Sequence, residues 1–281
     1  MRKNLFARVN NGHPTGRLFD MRKVGGSVLI AIVMALFTLG QYYCNTDYNE
    51  VTGEEQHITI SVADEIAIGL QSVPEMAQRH GGFDASEADQ ALVDQVGQRI
   101  VRQSDAAQTD YRYEFHLLAD PNTVNAFALP GGQIFITRAL YTRLADIDQL
   151  AGVLGHEVGH VVARHSAERI SQQRLAQGLS GAAVIAAAGE GRGQGTAAMA
   201  AVVANLVTMS YGRDQELESD DLGVRFMVQA GYEPEALIGV MDVLEGASGG
   251  SRQPEFMSTH PSPDNRRQRI REAIARYGGG G

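Results

Sequence analysis

LAGVLGHEVGHVVARH, residues 150–165, holds two histidines four apart, with a glutamate directly after the first. Leu150, Val153, Leu154, Val158, Val161 and Val162 recur at helical spacing. Asp146 or Asp148 can cap the start, so the pattern predicts a helix over residues 146–164. Positions i and i+4 share one helical face, and His156 and His160 therefore aim two imidazoles at one point. Zinc takes neutral nitrogen donors at about 2.0–2.1 Å in a tetrahedral array, and this pair supplies two of them. Glu157 is one step round the helix, placed to hold the water of a hydrolytic site.

A catalytic zinc needs a third protein ligand and one open position. The richest acidic stretch is DQELESDD, residues 214–221. Glu216 and Asp220 are four apart on one face. One can bind a metal while the other orients a ligand histidine through its free N–H. Spacing alone does not separate Glu216/Asp220 from Glu218/Asp221 or from a solvated acidic face.

The remaining elements frame this pair of segments. Residues 61–80 read as a helix with Ile66, Leu70, Val73 and Met76 on one stripe, and Pro74 predicts a kink or break. A second helix is expected over 85–104, with Leu92, Val96 and Ile100 at four-residue spacing. RYEFHLLA (112–119) alternates as a strand does. NAFALPGGQIFIT (125–137) reads as two short strands around the Pro130-Gly131-Gly132 turn, and 138–144 begins a helix. Residues 178–188 and 196–209 are apolar runs of 11 to 14 residues, each too short to span a bilayer. They are either buried core helices joined by the Gly-rich GEGRGQG or a hairpin that contacts membrane or gates substrate. Further helices are expected over 213–230, 234–245 and 265–277, ahead of a Gly tail at 278–281. Helices, a short sheet and helices again, without an internal repeat, indicate one α+β domain.

Of the 281 residues, 43% are hydrophobic and 20% charged, which excludes global disorder. The net charge of −9 disfavours nucleic-acid binding. One cysteine, Cys44, excludes an intrachain disulfide framework and a cysteine-based zinc site. Both lysines, Lys3 and Lys23, lie in a leader (1–23) that carries six cations and one anion. A nucleophilic lysine in the folded part is thereby excluded. From Val24 to Thr46 no residue is charged. Residues 24–43 are long enough to cross the ~30 Å hydrocarbon layer, with Arg22 and Lys23 on one edge and Tyr42 and Tyr43 on the other. The expected topology is a single-pass anchor with a cytoplasmic N-terminus and the rest of the chain outside. A cleaved signal (with Met21 as a possible start) and a lipoprotein signal at Cys44 are the alternatives. Residues 44–60 read as a polar linker.

Four segments in order carry a family resemblance: NAFALPGGQIFITRAL (125–140), LAGVLGHEVGHVVARH (150–165), YGRDQELESDDLG (211–223) and FMSTHPSPDNRRQRI (256–270). With the helices before them, they make residues 61–277 resemble the membrane-associated zinc metallopeptidases that include HtpX, BepA, Oma and the CAAX prenyl proteases. A single evident span argues against CAAX processing. The resemblance implies a mostly helical, gluzincin-like zincin domain with a small β-sheet, behind one N-terminal transmembrane helix. It implies one Zn2+ per chain, held by His156, His160 and Glu216, with Asp220 and Arg266 as supporting groups and Glu157 activating water. The family's downstream His-Pro falls on His260-Pro261; His260 is expected to assist catalysis or block the open site. Arg266 is expected to orient the active-site helices or a substrate carbonyl. Asn125, Ala126, Phe127 and Ala128 are expected to form an edge strand that pairs with an extended substrate. Ser219, Asp221 and Gly212 depart from the family's common Ala, Arg and Ser. His165 is expected on the surface, and His57, His80 and His116 in structural or exposed places. The implied function is an endopeptidase acting on misfolded or damaged envelope proteins outside the cytoplasm. The alternatives are a chaperone-like module kept closed by His260 and a structural zinc protein, which the intact Glu157 disfavours.

Overall fold

The computed structural model describes residues 21–188, 210–247, 254–261 and 263–279. Residues 1–20 of the expected leader, the apolar run 196–209 and the last two residues of the Gly tail lie outside these, while residues 21–23 of the leader open the first helix. Helix α1 (Met21–Cys44) leads into a hairpin of β1 (Thr46–Asn49) and β2 (Glu54–His57). Helices α2 (Val62–Arg79) and α3 (Glu87–Gln103) follow, then β3 (Glu114–Leu118), β4 (Ala126–Leu129), β5 (Gln133–Thr137) and the short α4 (Arg138–Tyr141). The last part is helical: α5 (Ile147–Val162), α6 (His165–Ala188), α7 (Arg213–Gln229), α8 (Ala236–Ala247), α9 (Glu255–Thr259) and α10 (Arg266–Tyr277). The fold is α+β, mostly helical, with one long apolar N-terminal helix.

One expectation is corrected here, and at Pro74 the expected kink or break is narrowed by excluding the break. Residues 46–57, expected as linker, form an antiparallel hairpin built into the domain. Its amides serve the end of α5: Asn49 Nδ2 donates to Val162 O at 2.7 Å and Gln56 Nε2 to Ala163 O at 2.6 Å. Carbonyls at a helix C-terminus lack intrahelical partners, so the polar side chains that suggested a solvated tether are caps. Helix α2 also runs unbroken through Pro74. Ser61 and Asp64 form a capping box at its start, and Ile68, Ser72, Met76 and Ala77 are buried on both sides of the proline. One lost backbone bond is outweighed by that packing.

The sheet order is β3-β5-β4, with β3 parallel and β4 antiparallel to β5. Gly131 and Gly132 turn the chain between β4 and β5 at φ +79° and +103°, which suits glycine alone. The sheet supports α5, which is buried from Leu150 to Val162. Asp146 caps that helix through Gln149 N at 2.8 Å. Helix α7 crosses α5 at very close range. A Cβ on Gly159 would lie 2.9 Å from Ser219 O, and one on Gly223 3.1 Å from His156 N. Only residues without a side chain let the two backbones approach this far, and the approach carries the acids of α7 to the histidines of α5.

Candidate active site

His156, Glu157 and His160 on α5 are 0 to 2% exposed, as are Glu216 and Asp220 on α7 and His260 just after α9. Four donor atoms from His156, His160, Glu216 and His260 lie within 4.8 Å of one another. His156 Nε2 stands 3.0 Å from His160 Nε2 and 3.3 Å from His260 Nδ1. Each of the first two is 3.5 Å from a Glu216 oxygen, and His260 Nδ1 is 3.0 Å from Glu216 Oε1. Donors about 2.0–2.1 Å from a common centre in tetrahedral array stand about 3.3 Å apart. The four atoms therefore have the spacing of a metal cage.

A second observation bears on the same fit. Both oxygens of Glu157, Oε2 of Glu216 and Nε2 of His260 are buried without a hydrogen-bond partner. Such groups cost about 1–3 kcal/mol each when left unsatisfied. Their clustering at one point fits a cation and a water that would engage them.

Charge supports the arrangement. Burial acts to raise the Glu216 carboxyl, but the charge of His260 and bonds from the imidazoles outweigh it and hold it well below its usual range. Burial pushes Glu157 up. Burial acts to lower His156, yet the hydrogen bonds it donates to Asp220 and Glu216 overcome it and raise the ring to about 9 in the metal-free site. At His160 burial prevails and the ring falls well below its ordinary value.

The supporting groups differ in placement. Asp220 Oδ1 lies 2.9 Å from His156 Nδ1. Arg266 donates to both Asp220 oxygens, through Nε at 2.6 Å and Nη2 at 2.9 Å. It is buried at 2% exposure, with Nη1 3.4 Å from Glu216 Oε2. Glu218 and Asp221 stand outside the cage; Asp221 bonds Arg276 and Tyr277 at the surface. β4 forms the edge of its sheet. Asn125, Phe127 and Ala128 line a narrow cleft that also touches Tyr211 and His260. Asn125 itself bonds Glu255 through Nδ2 at 3.2 Å.

His165 is not on the surface. It is 1% exposed, with Nδ1 2.8 Å from His160 Nδ1 and Nε2 3.0 Å from Glu218 Oε2. Helix α5 ends at Val162, and Arg164 takes φ +55°, turning the chain so that α6 starts beneath His160. Arg164 is held there by ion pairs to Glu65 and Asp47. Two aromatic residues also went unnoticed in the sequence. Tyr211 stacks on His160 at 3.8 Å between ring centroids, and Phe256 on His260 at 4.3 Å. Tyr211 stands five residues before Glu216, and Phe256 four before His260; both lie in the segments that carried the resemblance. His80 is buried beside Asp120 at 3.3 Å.

Two imidazoles from one helix, a carboxylate from a second and a buried glutamate whose oxygens lack a hydrogen-bond partner form a cluster that could hold a metal, consistent with a zincin-like domain. The chain belongs to peptidase family M48, whose model matches residues 87–274. It is 31% identical over 238 residues to the mitochondrial metalloendopeptidase OMA1 of Schizosaccharomyces pombe, covering 82% of this chain and 67% of that protein. It is 26% identical to the beta-barrel assembly-enhancing protease of Escherichia coli K12, over 85% of this chain and 50% of that one. With the metalloprotease YcaL of Escherichia coli K12 it shares 29% identity, over 77% of this chain and 82% of the relative. The chain thus spans about half the length of the assembly-enhancing protease and about two thirds of OMA1.

Proposed function

We propose that this protein is a zinc-dependent endopeptidase in which His156, His160 and Glu216 hold the metal and Glu157 moves the proton. The carrying observation is the set of buried donor atoms at metal-cage spacing beside a buried, unpartnered Glu157. Imidazole and carboxylate donors together suit zinc. Zinc at such a site lowers the pKa of a bound water towards 7 and polarises a peptide carbonyl. Glu157, raised by burial, takes a proton from the attacking water and returns it to the leaving amine. Asp220 and Arg266 hold His156 in place. Asn125, just before the edge strand β4, and Phe127 and Ala128 within it line the cleft, and this strand, including the buried Ala126, can accept an extended peptide as an added strand. The substrates we assign are unfolded or misfolded envelope proteins, with α1 as a membrane anchor and the domain outside the cytoplasm.

One observation favours a gated form of this reading. His260 Nδ1 stands at the fourth corner of the cage, where a catalytic metal keeps its open position. Productive hydrolysis then requires His260 to withdraw. In the extreme case the protein holds clients and seldom cuts them.

Full-length protein loaded with zinc and incubated with reduced casein tests the proposal. The parent is expected to cleave, Glu157→Gln to keep its metal and lose turnover, and His260→Ala to cleave faster. Turnover that survives in Glu157→Gln, with contaminants excluded, removes the mechanism. A His260→Ala variant slower than its parent makes that residue an assistant to catalysis instead of a gate.

A further inference from the structure

Helix α1 has a partner beyond the domain, and the partner is the helix that begins at the active site. Tyr42, near the end of α1, bonds Gln172 of α6. Gln41 and Tyr42 share a small cleft with Ser171 and Arg174. One turn further out, a Cβ on Gly178 would lie 2.5 Å from Thr38 Cγ2. Rising numbers on α6 meet falling numbers on α1, so the two helices run antiparallel. At 1.5 Å per residue, the ten residues after Gly178 lie level with residues 28–38, the apolar heart of α1.

The composition of α6 changes where this happens. Its first turns carry Glu168, Arg169 and Arg174; from Gly178 to Ala188 it has no charged residue. Ala31 of α1 and Ala182 of α6 are buried, while Leu29, Ile30, Ile32, Val33, Leu36 and Phe37 face outward. Small residues at the contact let two helices approach in lipid, where packing takes over from the hydrophobic effect.

We propose that α6 enters the bilayer beside α1 from Gly178 onward, so that the membrane partner of this chain is a two-helix wedge. The inference rests on α1 being the anchor proposed above. Residues 178–188 extend about 16 Å as a helix, so the described part of α6 reaches roughly halfway into the ~30 Å hydrocarbon layer. His165, the first residue of α6, touches His160, and Gly178 follows thirteen residues later. The metal cage, beside His165, therefore stands on the order of 20 Å above the level where α6 meets lipid. That height gives it polypeptide segments lying close to the membrane surface, such as those leaving it or failing to enter it.

The chain contains no tryptophan, so a single introduced indole reports alone. Leu36→Trp on α1 and Ala183→Trp on α6 both fall at exposed positions. Glu235→Trp serves as the control; it precedes α8, whose Leu237 meets Gly152 at the end of α5 remote from α6. The full chain is reconstituted into phosphatidylcholine vesicles with plain or brominated acyl chains. Leu36→Trp and Ala183→Trp are expected to lose most of their emission in the brominated lipid, and Glu235→Trp to keep it. Quenching of Leu36→Trp with Ala183→Trp unaffected overturns the proposal and leaves the anchor standing. Absence of quenching at both removes the anchor and the wedge together.

Discussion

His156 and His160 stand one turn apart on α5, yet their outer nitrogens are held in opposite ways. His156 Nδ1 faces Asp220 directly, and Asp220 is gripped at both oxygens by Arg266. All three are at most 2% exposed. His160 Nδ1 faces a second imidazole, His165, which passes the contact on to Glu218. Glu218 ends the chain of contacts with its side chain 26% exposed. One arm is a charge pair sealed in the interior; the other is a relay through a second imidazole that reaches solvent. The rings respond accordingly in the metal-free site. Both are penalised by burial, but the adjacent Asp220 lifts His156 to about 9 while His160 stays depressed. Partners that fix the outer nitrogen fix the tautomer that a metal needs. With Nε2 of His160 turned into the cage, Nδ1–H donates to His165 Nδ1, and His165 Nε2–H donates to Glu218.

The sealed arm is the one that breaks hardest. Asp220→Ala leaves the buried Arg266 with only its longer contact to Glu216, 3.4 Å from Nη1 to Oε2, and is expected to destabilise the metal-free protein by about 3 kcal/mol. The measurement is the thermal midpoint, with the paired Asp220→Leu/Arg266→Met change recovering most of the loss. A single variant that melts with its parent would show that the arm carries no buried charge. Acid probes the same arm. Burial acts to raise the Asp220 carboxyl, but the charge of Arg266 and the bond from His156 outweigh it and hold it below its usual value. A depressed carboxyl stabilises the fold above its unfolded pKa of about 4, and that stabilisation disappears as pH falls through the lowered value. Stability is therefore expected to drop steeply below about pH 4 in the parent and less steeply in Asp220→Asn. Parallel acid transitions for the two would contradict this.

The relay arm should cost metal before it costs fold. His165→Ala frees the outer nitrogen of His160, and loss of such a partner weakens a metal site by about 10- to 100-fold. Chelator competition at fixed pH measures this. The thermal midpoint of the metal-free variant is expected to fall less than that of Asp220→Ala, because no charge is stranded. Parent-like affinity in a folded His165→Ala would show that the relay does not orient His160.

The two arms were unequally legible in the sequence, for a physical reason. Glu157 follows from its place in the motif, and Glu216 and Asp220 repeat at helical spacing, although the resemblance was needed to choose them over Glu218 and Asp221 and to bring in Arg266. The helix over 146–164 and the strands around Pro130-Gly131-Gly132 are local features, and the structure has them as α5, β4 and β5. His165 was different. A helical wheel carried past Val162 puts it off the metal face, but Arg164 at φ +55° ends the wheel there and folds His165 back under His160. The hairpin at 46–57 failed for a related cause. Asn49 and Gln56 look like solvated polar residues until the helix end they cap is known, more than 100 residues away in the chain. Periodicity stops at a reversed backbone, and composition does not reveal a distant partner.

The smallest expected effect is the sharpest test of the contrast between the arms. Glu218→Gln keeps an oxygen that accepts from His165 Nε2–H and removes only the charge. That charge lies at the edge of solvent, where an ion pair contributes about 0–1 kcal/mol. Metal affinity is expected to fall by no more than about fivefold, equivalent to about 1 kcal/mol. Asp220→Asn makes the same isosteric change at the sealed arm, where the lost charge was the nearer of two carboxylates facing a buried guanidinium, so its loss is expected to be larger. Equal losses in the two variants would mean that solvent does not screen Glu218, and that the relay is as much an ionic arm as the one opposite it.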